Sequence, residues 1–283
     1  MCRTLAQPKL LLCSWLAYLG TLLCLGSCSG AEASGTRLRV SAAASLQQVA
    51  RELASAFEAE SGIAVRINCA GSHALAQQIE AAGGSDVFLS ADEDWIQYLE
   101  EKHCLVEGSA RAFLSNRLVF VAHGKRSEPA PALEELPSAS FDYLAIGHPE
   151  SVPAGRYAKR FLESIETPEG SLWERLQGRL APCMDVRAAL AMAESHTEIL
   201  ALVYASEAQR STSVQAYLEI PGHLQPEIRY SAALVRDRNR RDSSDAGDPR
   251  ARRFLDFLFT PQAEAIYAAH GFGLPAPQQG SQR

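Results

Sequence analysis

The sequence predicts an α/β fold built as two lobes. Strand-like and helix-like segments alternate along the chain, and short turns of small residues join them. Residues 199–205 (ILALVYA) form a continuous apolar run, which is typical of a strand buried at the centre of a sheet. Repeated strand–helix units indicate mostly parallel sheets. A length of 283 residues favours two lobes over one large sheet.

The first half of the chain contains the first three strand–helix units. Residues 37–41 alternate polar and apolar side chains, which is the period of a strand. The next segment places its apolar residues on one helical face; Ser45 and Gln48 fit a capping box, and Gly62 marks the helix end. The other elements predicted here are strands at 63–70, 86–92 and 118–122 and helices at 74–81 and 93–102.

The second half continues the same alternation. Pro153 lies near the first position of one predicted helix, and Asp185 is placed to cap the next. Residues 251–270 are predicted to be helical with an interruption near Pro261, and the charged stretch 237–249 indicates a solvated loop. The other elements predicted here are strands at 143–147, 199–205 and 228–235 and helices at 154–165 and 186–195.

The N-terminus has the pattern of a targeting segment. Arg3 and Lys9 precede the uncharged run 10–27, as in a secretory signal. The run ends in Leu-Gly-Ser before Cys28, which resembles a bacterial lipobox whose cysteine is acylated. A signal cleaved without lipidation and an uncleaved membrane anchor are the alternatives. We predict that residues 1–27 are a signal peptide of the lipoprotein type.

Charge and cysteine content argue against several classes of protein. The net charge is −6, and removal of residues 1–27, which hold two basic residues and no acidic one, makes it −8. A nucleic-acid-binding protein usually carries a basic face, so this class is disfavoured. Beyond Cys28 the chain has three cysteines, Cys69, Cys104 and Cys183. They allow at most one disulfide and do not form a C-x-x-C motif, so a zinc site is not expected.

The turns before the helices suggest anion binding. A helix N-terminus presents free N–H groups and about half a positive charge, so it binds anions without a cationic side chain. Small residues and free backbone amides occur at several strand-to-helix turns, at 43–45, 71–72, 153–155 and 185–186. Ser45 and Ser72 add hydroxyl groups at two such points. Each serine could instead cap its own helix, so the residues alone leave both readings open.

Seven segments, in order along nearly the whole chain after the signal, carry a resemblance to a known family. They are AAASL (42–46), AGSHALAQQIEAAGGSDVFLSAD (70–92), NRLVFVA (116–122), GHPESVPAGRYAK (147–159), LAPCMDVRAALAM (180–192), LALVYASEA (200–208) and FLDFLFTPQAEAIYAAHGF (254–272). On these motifs the chain resembles the periplasmic molybdate-binding proteins of ABC transporters, the ModA family.

The resemblance implies a fold and a ligand site. The fold is the two-lobed periplasmic binding protein of type II, with two crossovers and the ligand between the lobes. One lobe would be 37–115 plus 232–283, and the other 116–231. The family's oxyanion, held through its oxygens by hydroxyls and backbone N–H groups, would contact Ser45, Ser72, Ala154, Val186 and Tyr204 here. Of these five, Tyr204 follows from the resemblance alone.

The resemblance also implies the function. The protein is expected to bind molybdate or tungstate as its ligand, to need no cofactor, and to deliver the anion to the membrane permease of an ABC importer. It would be a monomeric, extracytoplasmic lipoprotein that touches the membrane only through its lipid, binds no nucleic acid and is not an enzyme. The alternatives are a binder of another anion, such as sulfate, phosphate or a carboxylate, and an α/β enzyme acting on an anionic substrate.

Three charged or titratable residues adjoin the expected ligand groups. Arg156 and Arg187 follow the turns at 153–155 and 185–186, where an arginine clamp on the anion is conceivable. Because the family keeps charge off its ligand, we expect both arginines at the surface or bridging the lobes. We expect His73 to be an exposed residue at a helix start.

Overall fold

Two five-stranded sheets form the centres of two lobes. The computed structural model describes residues 37–124, 130–236 and 247–276. The predicted signal segment, Cys28 and residues 237–246 of the predicted loop lie outside these ranges. The strands are β1 Leu38–Ala43, β2 Val65–Ala70, β3 Val87–Ser90, β4 Arg111–Asn116, β5 Leu118–His123, β6 Tyr143–Gly147, β7 Glu166–Thr167, β8 Gly170–Ser171, β9 Leu180–Cys183, β10 Ile199–Tyr204, β11 Val214–Glu219 and β12 Ile228–Leu234.

Helices follow most of the strands. The α-helices of the described residues are α1 Gln47–Ser61, α2 Ser72–Ala82, α3 Asp94–Glu101, α4 Pro153–Glu163, α5 Leu172–Leu176, α6 Val186–Ser195, α7 Ala205–Ala208, α8 Pro249–Phe257 and α9 Pro261–Ala269. Short 3-10 turns lie at Ala44–Leu46, Leu133–Ser138, Gln177–Arg179 and Gly222–Leu224. None of the described helices is both long and apolar enough to span a bilayer.

The strand order assigns each sheet to one lobe. The first lobe contains the sheet β2-β1-β3-β12-β4, and the second contains β11-β5-β10-β6-β9. A continuous hydrophobic cluster includes buried residues from both sheets, and a second cluster lies between the first sheet and helices α2 and α3. The short hairpin β7-β8 stands apart from both sheets. The two-lobed α/β class expected from the sequence is therefore confirmed.

The expectation of mostly parallel sheets is met only in part, because β5 and β12 run opposite to the other strands of their sheets. In the first lobe β1 is parallel to β2 and β3, but β12 is antiparallel to β3 and β4. In the second lobe β10 and β9 are parallel to β6, whereas β5 is antiparallel to β10 and β11. The reason is the crossover between lobes. Strands β5 and β12 enter their lobes at the cleft, where the parallel strands end, so each must run the opposite way.

Helix boundaries follow the predicted signals in most places. Gly62 ends α1 in the left-handed conformation, at φ 70°, which glycine adopts without strain. Pro153 is the first residue of α4, and the Asp185 side chain accepts a hydrogen bond from the N–H of Ala188 at 2.9 Å as the cap of α6. The predicted cap at Ser45 is wrong, because Ser45 lies inside the 3-10 turn that precedes α1.

Candidate functional site

The five residues expected to bind the ligand line one small cavity between the lobes. The cavity is small, with a volume of about 20 Å³. Ser45 and Ser72 belong to the first lobe, and Ala154, Val186 and Tyr204 to the second. The other lining residues are Ala43, Ala44, Gly71, Ala91, Val152, Pro153 and Asp185. Neither lysine, arginine nor histidine is among them.

Four helical segments begin at this cavity. The 3-10 turn that leads into α1 and the helices α2, α4 and α6 each contribute first-turn residues to its wall. The first N–H groups of a helix have no partner within it, and their dipoles add a partial positive charge. Pro153 lacks an N–H, so Ala154 provides the first free amide of α4; Val186 provides that of α6. The cavity therefore collects hydrogen-bond donors from both lobes.

Both serine hydroxyls are already used as acceptors. The Tyr230 hydroxyl donates to Ser45 Oγ at 3.2 Å, and the N–H of Ala91 donates to Ser72 Oγ at 3.1 Å. Each serine keeps its own hydrogen for a further bond. Neither side chain caps a helix, so the capping role that the residues alone left open is wrong. The two hydroxyls are set to act as donors toward the cavity.

Tyr204 presents an unpartnered hydroxyl at the cavity. Its side chain is buried, and its oxygen has no hydrogen-bond partner within the described residues. Burial, followed by the nearby Tyr230 hydroxyl, raises the pKa of Tyr204 well above its ordinary value, so the group stays protonated and can donate. A buried polar group without a partner is costly, which points to a ligand at this position. Pattern alone missed Tyr204, because it ends the apolar run of β10.

The nearby arginines contact side chains of the opposite lobe. Arg156 in α4 forms an ion pair with Asp92, and its Nη2 lies 3.3 Å from Asp94 Oδ2. Arg187 in α6 donates to the side-chain oxygen of Gln47 in α1. Burial raises the pKa of the Asp92 carboxyl, and the Arg156 charge opposes that effect. The lobe-bridging role expected for both arginines is confirmed.

His73 is less exposed than expected. The second residue of α2, it is partly buried, and its Nδ1 has no hydrogen-bond partner within the described residues. Desolvation lowers the pKa of His73; Asp185 opposes that effect, and His148 and Arg156 add to it. Asp185, His148 and Arg156 all belong to the second lobe, whereas His73 belongs to the first. The start of α2 therefore packs across the cleft. His73 therefore lies between the lobes rather than in open solvent.

The described residues offer no metal centre of the usual protein type. No group of three histidine, cysteine, aspartate or glutamate side chains within them is placed to hold a metal ion. Cys69, Cys104 and Cys183 are free thiols. A cavity walled by hydroxyls and amide N–H groups suits an anion rather than a bare cation.

Comparison with known proteins identifies the family of the chain. The family model of bacterial extracellular solute-binding proteins matches residues 38–273. The molybdate-binding protein ModA of Escherichia coli K12 is 32% identical over 91% of this chain and 97% of its own, and ModA of Haemophilus influenzae is 30% identical over 91% and 98%.

Solved structures share the fold. The periplasmic molybdate-binding protein of Azotobacter vinelandii superposes with a TM-score of 0.69 at 23% identity, covering 85% of this chain and 100% of its own. The sulfate-binding protein SubI of Mycobacterium tuberculosis H37Rv superposes with a TM-score of 0.72 at 16% identity, covering 86% and 88%. The extent of the family match and the identity to two ModA proteins show that this chain belongs to the ModA family of bacterial extracellular solute-binding proteins.

Proposed function

We propose that the protein binds molybdate or tungstate outside the cytoplasm and delivers it to an ABC importer. The observation that carries this proposal is the composition of the cavity wall. Two serine hydroxyls, one tyrosine hydroxyl and the first amides of two helices meet there, without a lysine, arginine or histidine. Such a wall offers donors from both lobes to a small tetrahedral anion.

Donor dipoles are sufficient to hold an enclosed dianion. Hydrogen bonds to a charged acceptor contribute about 1.5–3 kcal/mol each, and helix N-termini add favourable partial charges. In the proposed complex the oxygens of molybdate accept from the hydroxyls of Ser45, Ser72 and Tyr204 and from the amides of Ala154 and Val186. The metal atom itself touches no protein group. The ModA relatives support molybdate as the anion.

Transport would use closure of the two lobes around the anion. The cavity draws its donors from both lobes, so the anion favours the closed form, which the membrane permease can distinguish from the open one. We assign residues 37–115 and 232–283 to one lobe and 116–231 to the other; β12, which pairs with the first sheet, crosses the second boundary. We further propose a monomer without enzymatic activity or cofactor, secreted by the segment 1–27 and anchored by a lipid on Cys28.

Titration calorimetry on protein freed of bound oxyanion tests the binding proposal. We expect molybdate and tungstate to bind with one site per chain, and sulfate and phosphate to bind more weakly. Ligand at about 100 times its Kd should stabilise the fold by about 2.7 kcal/mol in a thermal scan. A protein that bound neither molybdate nor tungstate would refute the proposal. Preferential binding of sulfate or phosphate would replace molybdate with that anion.

Mass spectrometry of the mature N-terminus tests the proposed anchor. Protein expressed in a bacterial host should begin at Cys28 and carry lipid on that residue. An unmodified N-terminus beyond residue 28 would show a cleaved, soluble form. Retention of residues 1–27 would show an uncleaved anchor instead.

A further inference from the structure

A buried hydrogen-bonded chain of three side chains ends at the cavity. Asn116 at the end of β4 donates through Nδ2 to the Tyr230 hydroxyl at 3.2 Å, and that hydroxyl donates to Ser45 Oγ at 3.2 Å. All three side chains are buried, with Tyr230 fully so. Asn116 and Tyr230 do not line the cavity. They can therefore influence a ligand only through Ser45 or the surrounding structure.

Backbone amides set the direction of this chain. The side-chain oxygen of Asn116 accepts from the N–H of Arg117 at 2.9 Å and from the N–H of Ser206 at 3.5 Å. A backbone N–H can only donate, so this end of the side chain must be the oxygen. The NH₂ group then points the other way and donates to the hydroxyls of Tyr230 and, at 2.8 Å, Ser206. Both of its hydrogens are used.

The fixed orientation of Asn116 decides what the two hydroxyls can do. The Tyr230 oxygen accepts from Asn116, and the Tyr230 hydroxyl donates to Ser45 Oγ at 3.2 Å. Because Ser45 Oγ accepts from Tyr230, its own hydrogen is directed away, toward the cavity. Burial raises the pKa of Tyr230 far above its ordinary value, so this hydrogen is present at any physiological pH. Ser45 is thus prepared as a donor before a ligand arrives.

The backbone near Tyr230 is irregular at the same place. The pairing of β12 with β4 shifts register between Tyr230 and Ser231. A β-bulge re-aims the side chains around it and occurs often beside functional sites. The Tyr230 ring also packs on Tyr204, with centroids 5.7 Å apart, and on Phe272, at 5.5 Å. These contacts hold the ring in place, so that removing the hydroxyl alone leaves the packing intact.

We propose that Tyr230, oriented by Asn116, is a positioning residue that makes Ser45 an obligate hydrogen-bond donor to the bound oxyanion. This inference rests on the proposed binding of an oxyanion at the cavity. Without the Tyr230 hydroxyl, Ser45 could rotate its hydrogen toward other acceptors, and the ligand would have to reorient it. Affinity would fall although every ligand-contacting group remains.

A double-mutant cycle tests this role by calorimetry with molybdate. We expect Tyr230→Phe to lower affinity about three- to tenfold in the otherwise unchanged protein. In the Ser45→Ala background the same change should cost less than twofold, because the residue through which it acts is gone. In the Ser72→Ala background its full effect should remain. Coupling of this kind separates positioning from general destabilisation.

Tyr267→Phe is the matched control. Tyr267 is also a buried tyrosine, and its hydroxyl donates to the carbonyl of Leu258 at 2.7 Å, away from the cavity. This variant should bind molybdate like the unchanged protein in every background. If Tyr230→Phe does not fold, Asn116→Ala takes its place. The loss of molybdate affinity that Asn116→Ala causes should then be at least twofold smaller in the Ser45→Ala background than in the otherwise unchanged protein.

Three results would overturn the inference. Unchanged affinity in Tyr230→Phe would show that Ser45 needs no orienting partner. An equal loss with and without Ser45 would show that Tyr230 acts on the fold and not through that hydroxyl. A wild-type protein that bound no oxyanion in the same titration would remove the proposed function itself, which distinguishes this failure from the other two.

Discussion

The guanidinium of Arg156 and the carboxylate of Asp92 form an ion pair across the cleft. Their side chains are only 18% and 5% exposed, and Arg160 makes a parallel contact of 3.1 Å with Asp94. The indole N–H of Trp95 also reaches the Ser151 carbonyl of the other lobe, at 3.0 Å. These contacts join the two lobes, so they favour the conformation that encloses the ligand.

We expect Asp92→Asn to release molybdate about tenfold faster. Removing one partner of a buried ion pair leaves the other charge uncompensated. In this variant Arg156 still has Asp94 as a partner at 3.3 Å, so the increase in the release rate should stay near tenfold. Stopped-flow dilution measures the release rate. Glu150→Gln, which breaks the exposed pair with Lys159 inside one lobe, is the control; equal rates in both variants would contradict a role in closure.

Ser45→Ala and Ser72→Ala should each weaken molybdate binding about ten- to hundredfold, since each removes a donor worth about 1.5–3 kcal/mol. Arg187→Ala should cost less, and raising the salt concentration should change the wild-type affinity little, because no cationic side chain lines the cavity whose attraction to the anion salt could screen. Ser109→Ala is the control: this serine is buried and hydrogen-bonded but lies away from the cavity. A larger loss in the arginine variant, measured by calorimetry, would require a cationic clamp.

Tyr204→Phe should separate stability from binding. Its hydroxyl has no partner in the ligand-free structure among the described residues, so removing it should leave the free protein as stable as before or more so. The same change removes a donor to the anion, and the stabilisation by molybdate should shrink. Thermal scans with and without molybdate measure both effects. A destabilised free protein with normal ligand affinity would assign Tyr204 to the fold.

Gly155→Ala should destabilise the protein by about 2 kcal/mol or more, as overpacking a close contact does. A methyl group at Gly155 would lie 2.0 Å from the carbonyl oxygen of Gly147, which is backbone and cannot rotate away. The start of α4, with the amide of Ala154, would have to move. Urea unfolding measures the change. Gly178→Ala, where the methyl group meets open space, should be close to neutral, and equal effects would exclude the steric cause.

The stability of the ligand-free protein should fall on acidification through His73. Burial lowers the folded-state pKa of His73 below its ordinary 6.5, so between the two values the unfolded chain binds more protons. The free energy of unfolding therefore rises with pH between these two pKa values. The stability contributed by neutral His73 is lost as the pH falls through them. His73→Gln should flatten this part of the pH profile in thermal scans. The exposed His223→Gln should not, and an unchanged slope in His73→Gln would exclude this histidine as the cause.

Much of the fold was predictable because its signals are local. Apolar runs marked β6, β10 and β12, and the proline and aspartate before α4 and α6 marked their first residues within a position or two. The strands β4, β9 and β11 were not predicted. Their exposure alternates irregularly or they are short, so they lack a clear period. The expectation of mostly parallel sheets failed at β5 and β12, because no local pattern records where the chain changes lobe.

Some residues of the candidate site were predictable from the sequence and others were not. Ser45 and Ser72 were found from their place at helix starts, but the groups that donate to their oxygens, Tyr230 and Ala91, lie far away in sequence, and the cap expected at Ser45 was wrong. Tyr204 came only from family resemblance. Asn116 and Tyr230 went unnoticed, since a buried tyrosine in an apolar strand looks like packing until its hydroxyl partners are known.

The direction of β12 has a practical consequence for engineering the chain. Because β12 enters the first lobe at the cleft, it leaves at the opposite edge, where Val235 bridges to Leu105 and the N–H of Arg236 bonds to the Cys104 carbonyl. The connection to α8 thus starts far from the cavity. A fluorescent domain inserted after residue 236 would be attached at the side of the first lobe opposite the cleft, where it does not obstruct entry of the ligand.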